Sequence, residues 1–367
     1  MACKAPVIAK PMSTTLKTDL IHSSHLGPHT KGYPPHAPEI PLSDVRHQGW
    51  HVLQADLPFP LAVLKASALN HNLEWMARFC RARGIDIAPH GKTTMSPELH
   101  QRQLEAGAWG ISFANVQQAG VGLRHGVKRI LIANQVFQTS DLDTLSSWQT
   151  SHPSGRVCFL IDSLAQLDLI TQWHRHKPQA CFEVLLELGI SGKRTGVRSL
   201  EQGSALAQAI RQSPAVRLVG VECYEGGLAS CRSEEDRHAV GALMNVLTEL
   251  AMVCAREQWF ECEEVLMTAG GGSAVFDLVA EHLRPNLGRP MRGILRSGCY
   301  VTHDHVQYHH HLQAVGQRLG QSQTLQPAIE VLSMVQSVPE PGLALLTMGK
   351  RDVSYDLDLP VPIWRTQ

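Results

Sequence analysis

The sequence predicts an α/β protein: a TIM-type (β/α)8 barrel followed by a small, shortened all-β domain. Three observations carry this expectation. Between residues 85 and 296, short apolar runs alternate with helix-length stretches about eight times. No Gly-x-Gly-x-x-Gly follows the first strand, which counts against the main alternative, a doubly wound dinucleotide-binding sheet. After Gly298 the texture changes to strand-like runs separated by turn residues, without intervening helices.

In order along the chain, residues 1–48 are rich in Pro, His, Ser and Thr and show no period, so they read as a loosely ordered lead-in. The barrel domain is expected over 49–297 and the β domain over 298–367. Leu61 to Lys65 reads as a short strand and Ser67 to Arg83 as a helix, with Ser67 as N-cap. Barrel strands are expected at 85–89, 110–114, 129–133, 156–161, 181–188, 216–223, 264–268 and 292–296. Helices at 97–106, 115–125, 140–149, 163–175, 200–212, 233–257 and 274–283 fill the gaps. In the last part, Cys299 to Tyr308, Ala328 to Ser337 and Leu343 to Met348 read as strands.

Bulk properties narrow the function classes. The chain has 367 residues, 43% hydrophobic and 18% charged, enough for a large core. Lys+Arg and Asp+Glu both total 33. This balance gives no electrostatic case for nucleic acid or an anionic membrane. No segment reads as a membrane span, and no continuous apolar core near the start reads as a secretory signal. Nine cysteines, scattered and without a C-x-x-C pair, point to reduced core thiols in a cytoplasmic protein. Five histidines crowd His303 to His311; read as an alternating strand, that stretch sends neighbours to opposite faces and argues against a shared metal.

In such a barrel, functional groups collect just after the strands. Lys92, in Pro89-His90-Gly91-Lys92-Thr93-Thr94, follows the first. Asn134 and Gln135 follow the third, and Asp162 ends the fourth. Glu187 and the turn Gly189 to Gly196 follow the fifth, Tyr224 and Glu225 the sixth, and Thr268 to Ser273 the seventh. Arg296 and Ser297 close the eighth. Each alone also reads as a capping or turn residue. A lysine amine at a strand end can form a Schiff base with a carbonyl; the alternative is a solvated loop lysine. The bend Gly270-Gly271-Gly272-Ser273 before a helix can present backbone N–H groups to an anion, or can be a plain turn. A reactive amine and a phosphate cradle on one rim together point to pyridoxal 5'-phosphate.

Three separated motifs, Pro89 to Thr93, Gln103 to Ala108 and Ile130 to Gln135, occur in the order found in the D-threonine aldolase and D-serine dehydratase family. The chain resembles that family from about Gly49 to Pro362, and more closely its bacterial amino-acid deaminase branch. The resemblance implies an alanine-racemase-like fold and pyridoxal phosphate as cofactor. It implies that Lys92 holds the cofactor covalently and that Arg194 lies near its phenolic oxygen. Tyr224 would belong to the pocket, and Gly271, Gly272 and Ser273 to the phosphate turn. Tyr300 and Asp304 would lie at the crossover into the β domain, bordering the pocket. Lys92, Tyr224 and Asp304 are therefore the expected catalytic residues. Lys92, His90, Arg194, Tyr224, Gly270, Gly271, Gly272 and Ser273 are the expected cofactor-binding residues.

The family also carries a His-x-Cys or His-x-Asp pair near its C-terminus that binds zinc or manganese. No His or Cys follows His311 here, so no metal ligand is assigned, and the chain looks shortened relative to the family. The resemblance implies a lyase of D-β-hydroxy amino acids, converting D-serine to pyruvate and ammonia, and a homodimer. Retro-aldol cleavage of D-threonine to glycine and an aldehyde is the competing activity. A pyridoxal-phosphate carrier without turnover, a partner subunit for a longer relative, and a sugar-phosphate barrel aldolase are the remaining alternatives.

Overall fold

A computed structural model describes residues 15–365; the start of the expected lead-in, 1–14, lies outside the described residues. The chain divides into two compact units, one built on Ala77–Gly298 and the other on Lys17–Met76 with the segment from Cys299 onward.

The first unit is the barrel. Its eight strands are Asp86–Ile87, Ile111–Phe113, Arg129–Gln135, Arg156–Ile161, Phe182–Leu188, Val216–Cys223, Val265–Ala269 and Met291–Leu295. They pair in parallel in a continuous order, with the first strand beside the eighth. The two sheet edges also meet. Trp109 N–H donates to Ile87 O at 2.8 Å, Ser112 N–H donates to Pro89 O at 2.9 Å, and His90 and Ser112 form a parallel bridge. The ring is therefore closed and leaves no open edge. Strands buried on both faces need apolar side chains on both, which is why these segments read as continuous hydrophobic runs.

Ala88, just past the first strand, and Leu131, Leu160, Leu185, Leu266 and Ile294, from five others, belong to one buried cluster. Two residues further on, where the pleat returns to the same face, the chain places His90, Asp162, Glu187, Thr268 and Arg296. Register aligns Glu187 with Glu222 and Glu222 with Thr268. An irregularity between Ile132 and Gln135 brings Gln135 opposite Leu160 and onto the same face. An apolar plug thus ends in a polar layer at the C-terminal rim.

Three of the barrel helices start with the same device. Asn115, Ser163 and Ser199 accept the backbone N–H of Gln118, Gln166 and Gln202 at 2.9, 3.3 and 3.2 Å. The three glutamines in turn accept the N–H of Ala114, Asp162 and Arg198 at 3.0, 3.3 and 2.8 Å. This is a capping box whose return bond reaches one residue further back than usual. It fixes the chain where strand hands over to helix. The expected helix ends hold within about two residues throughout the barrel.

The helix Ser233–Arg256 corrects one expectation: by length and apolar composition it would pass as a membrane span. The charged start Glu234-Glu235-Asp236-Arg237 obscures the apolar run behind it. Its side chains Val240, Met244, Leu247, Leu250, Ala251 and Cys254 are buried, the spacing of an amphipathic barrel helix.

In the second unit, Leu61–Leu64 pairs antiparallel with Ile329–Leu332, and Val335–Glu340 pairs with Leu343–Leu346. Buried Asn72 ties this unit together, donating to Val301 O and Gln326 O at 3.2 and 2.7 Å and accepting from Gln326 N–H at 2.7 Å. The expected strand from Cys299 to Tyr308 is not formed. Cys299–Val301 is a 3-10 turn, and Gln307–Leu319 is a helix closed by Gly320 at φ +62°. The buried Leu312 and Val315 set a helical spacing that outweighs the local alternation of histidines. His309, His310 and His311 therefore lie on a helix, so the opposite-face argument against a metal does not apply to them. Among the described residues, no group of three or more His, Cys, Asp or Glu is arranged to hold a metal ion.

Candidate active site at the C-terminal rim of the barrel

Lys92 sits in the 3-10 turn Gly91–Thr93, directly after the first barrel strand. His90 caps that turn, its Nδ1 accepting the Lys92 N–H at 3.4 Å. Gly91 is buried because nothing larger fits. A Cβ there would lie 2.7 Å from the Phe113 ring and 2.9 Å from His100 Nε2. The Lys92 side chain itself is exposed on the rim.

A chain of contacts links this turn to the glycine bend. Gly298 packs on it so closely that a Cβ would lie 2.6 Å from both His90 O and Thr93 Oγ1. Its neighbour Ser297 donates from Oγ to Gly271 O at 2.6 Å. Gly271 takes φ +60°, the left-handed region that favours glycine. At Gly270 a Cβ would meet the Tyr224 ring at 2.6 Å, so that ring lies against the bend. The Arg194 guanidinium lies 5.4 Å from the centre of the same ring. Lys92, His90, Arg194, Tyr224 and Gly270 to Ser273 thus share one rim. Tyr300 and Asp304 belong to the second unit. There Tyr300 is buried, and the Asp304 carboxylate caps the helix by accepting from Val306 and Tyr308 N–H, each at 2.9 Å.

The polar layer beneath the rim carries three buried carboxyls, Glu187, Glu222 and Glu225, and one buried guanidinium, Arg296. Arg296 pairs with Glu222 at 2.5 Å. Burial pushes the Glu222 carboxyl up to about 8, although Arg296 pulls the other way. Burial also raises Glu187, against hydrogen bonds from Gln135 and Thr195, and raises Glu225. Burial, then the positive charges of Arg296 and Lys92, lowers His90 to about 3. A neutral imidazole is what its acceptor bond to Lys92 N–H requires.

These residues fit a polar cofactor. Glu222 Oε1, Glu225 Oε2, Thr268 Oγ1 and Arg296 Nε are buried and have no partner among the described residues. Buried polar atoms of this kind call for a ligand or water. In the glycine bend two N–H groups are already engaged: Gly270 donates to Cys223 O at 3.1 Å and Gly272 to Glu225 Oε1 at 2.7 Å. Among the described residues, no group of three or more His, Cys, Asp or Glu here is arranged to hold a divalent metal. Burial pushes the Cys80, Cys158 and Cys254 thiols up to about 12, which makes them inert.

Sequence reasoning missed Glu222, whose apolar neighbours Val221 and Cys223 hide it inside a strand. Only its register opposite Glu187 reveals the inward face. It also missed Arg198, which reads as an ordinary turn cation.

The family model described as "Alanine racemase, N-terminal domain" matches residues 64–290. A 3-hydroxy-D-aspartate aldolase of Paracoccus denitrificans (strain Pd 1222) is 25% identical over 311 residues, covering 84% of this chain and 76% of that protein. A D-threonine aldolase of Arthrobacter sp is 28% identical over 219 residues, covering 59% of this chain and 56% of that one. Among solved structures, the D-threonine aldolase from Filomicrobium marinum superposes with a TM-score of 0.70 at 25% identity, covering 84% and 78% of the two chains. The matched segment takes in Lys92, Arg194, Tyr224 and the Gly270 to Ser273 bend, and the chain belongs to the alanine racemase N-terminal domain family.

Proposed function

We propose that this protein is a pyridoxal-phosphate-dependent lyase of D-β-hydroxy amino acids. The observation that carries the reading is the contact chain from the Lys92 turn through Gly298 and Ser297 to Gly271. It puts a primary amine and a glycine-rich cradle on one rim. When bound, pyridoxal phosphate supplies an electrophilic aldehyde and a ring that withdraws electrons from the substrate Cα.

The protein's own groups do the rest. Lys92 would bind the aldehyde and then take the α-proton. Arg194, beside Tyr224, would hold the phenolic oxygen anionic. His90, kept neutral by burial and its positive neighbours, holds the Lys92 turn without adding a charge beside the amine. The Arg296–Glu222 pair and Thr268 would form the floor under the ring.

For the reaction, the resemblance to the bacterial amino-acid deaminase branch supports D-serine, whose β-hydroxyl leaves as water and whose remaining imine hydrolyses to pyruvate and ammonia. The names of the two aligned relatives favour a second reading, retro-aldol cleavage of the Cα–Cβ bond. Product analysis separates them. Purified protein with pyridoxal phosphate is supplied with D-serine, D-threonine or 3-hydroxy-D-aspartate. Pyruvate and ammonia from D-serine support the first reading, and glycine from the other two supports the second. No product from any of the three, with cofactor bound, contradicts both.

A further inference from the structure

We propose that Arg198 is the positioning residue that aims Arg194 at the cofactor, by gripping the backbone of the Arg194 to Gly196 turn from its solvent side. This rests on the reading of Arg194 as a cofactor contact. The turn leaves the strand Phe182–Leu188 at Gly189 and returns at Val197. There Gly189 N–H donates to Val197 O and Val197 N–H donates to Glu187 O, both at 2.8 Å. Between them, the backbone bond is Lys193 N–H to Ile190 O at 3.1 Å. The carbonyls of residues 194–196 need donors from elsewhere.

The Arg198 guanidinium supplies them. Nη1 donates to Thr195 O at 3.0 Å and to Gly196 O at 2.6 Å, and Nη2 donates to Arg194 O. Among the described residues, nothing else bonds the Arg194 carbonyl. A planar fork with five donors can serve three carbonyls at once, whereas a lysine ammonium is a compact point charge. The arm is itself anchored. Arg198 N–H donates to Gln202 Oε1 at 2.8 Å, inside the capping box that starts the helix Leu200–Gln212.

The glycines around the turn make room for this grip. A Cβ on Gly189 would fall 2.0 Å from both Arg198 Nη1 and Thr195 O. Gly196, at φ +103°, would place a Cβ 2.3 Å from Gly189 N. On the barrel side, Glu187 Oε1 accepts from Thr195 Oγ1 at 3.0 Å, and Asp162 Oδ2 accepts from Gly196 N–H at 2.8 Å. The turn is held from both sides, with Arg194 at its apex over Tyr224.

The test compares the full chain with Arg198→Ala, Arg198→Lys and Arg194→Ala. Pyridoxal-phosphate affinity is measured by fluorescence titration of cofactor-stripped protein, and amide hydrogen exchange is followed at residues 190–196 in the same stripped protein. Arg198→Ala is expected to speed exchange in that segment but not in the strand Val216–Cys223, and to weaken affinity about tenfold. Arg198→Lys is expected to restore neither. Arg194→Ala is expected to weaken affinity with exchange unchanged. If Arg198→Ala does not fold, Arg198→Gln takes its place under the same expectations. Affinity kept within about twofold in the Arg198 variants while Arg194→Ala loses it overturns the positioning role. Full rescue by lysine overturns the fork geometry. An unchanged affinity in Arg194→Ala sinks the underlying assignment of Arg194, a failure visible in that variant alone.

Discussion

Two layers of one barrel interior, a single pleat apart, do opposite work. The lower layer, with Ala88, Leu131, Leu160, Leu185, Leu266 and Ile294, is uniformly apolar and fully buried. The upper layer, with His90, Gln135, Asp162, Glu187, Glu222, Thr268 and Arg296, is polar, and several of its buried atoms lack partners. The lower layer gains stability from burial. In the upper layer, ionised groups out of water and unmatched donors and acceptors work against stability. A fold keeps such a layer where it has a ligand to receive, and the closed ring beneath it keeps the cost from spreading.

Substitutions that cross the two layers sharpen this contrast. In the lower layer, Leu185→Ala should cost about 2–5 kcal/mol, since the side chain is completely buried and the ring can collapse little. Denaturant unfolding measures it, and a loss under about 1 kcal/mol would show that the plug is not the stabilising layer. In the upper layer, stability should depend on pH instead. Burial holds the Glu222 carboxyl near 8 in the folded state, above its ordinary value of 4.5. Its contribution is therefore complete below about 4.5 and is lost as pH rises through about 8. Glu222→Gln should flatten the fall in melting temperature between pH 5 and 8.5, whatever its absolute effect. Parallel slopes for the two proteins would contradict the assignment. An effect of the opposite sign is expected at His90. Its folded value near 3 lies below the ordinary 6.5, so its contribution is present above 6.5 and lost as pH falls toward 3. His90→Asn keeps an acceptor for Lys92 N–H and should make unfolding less sensitive to acid over that window. An unchanged acid limb would show that the ring is not held neutral.

Much of the lower layer was legible in the sequence, because strands buried on both faces announce themselves as apolar runs bounded by Gly, Ser and Asn. All eight barrel strands follow from that pattern. The rim was legible where residue type and turn coincide, as at Lys92 and Gly270 to Ser273, while Arg194 stood out only through the family resemblance. Glu222 was not, because a polar residue flanked by Val221 and Cys223 shows its face only through register. Arg198 was not, because its partners are backbone carbonyls, which have no signature in residue identity. The segment from Cys299 to Tyr308 misled for a different reason. Its Tyr, Val, Thr and His favour strands locally, while the helix that follows is fixed by Leu312, Val315 and the stop at Gly320.

The whole site reading depends on the Lys92 amine binding the aldehyde of pyridoxal phosphate. Absorption spectra of purified protein, with Lys92→Ala beside the parent chain and both supplied with the cofactor, test it most directly. The parent should gain a visible band that resists dialysis and is lost on borohydride reduction, leaving the cofactor fixed to the peptide that contains Lys92. The variant should gain no dialysis-resistant band. A cofactor fixed to another lysine, or an unaltered band in Lys92→Ala, contradicts the account.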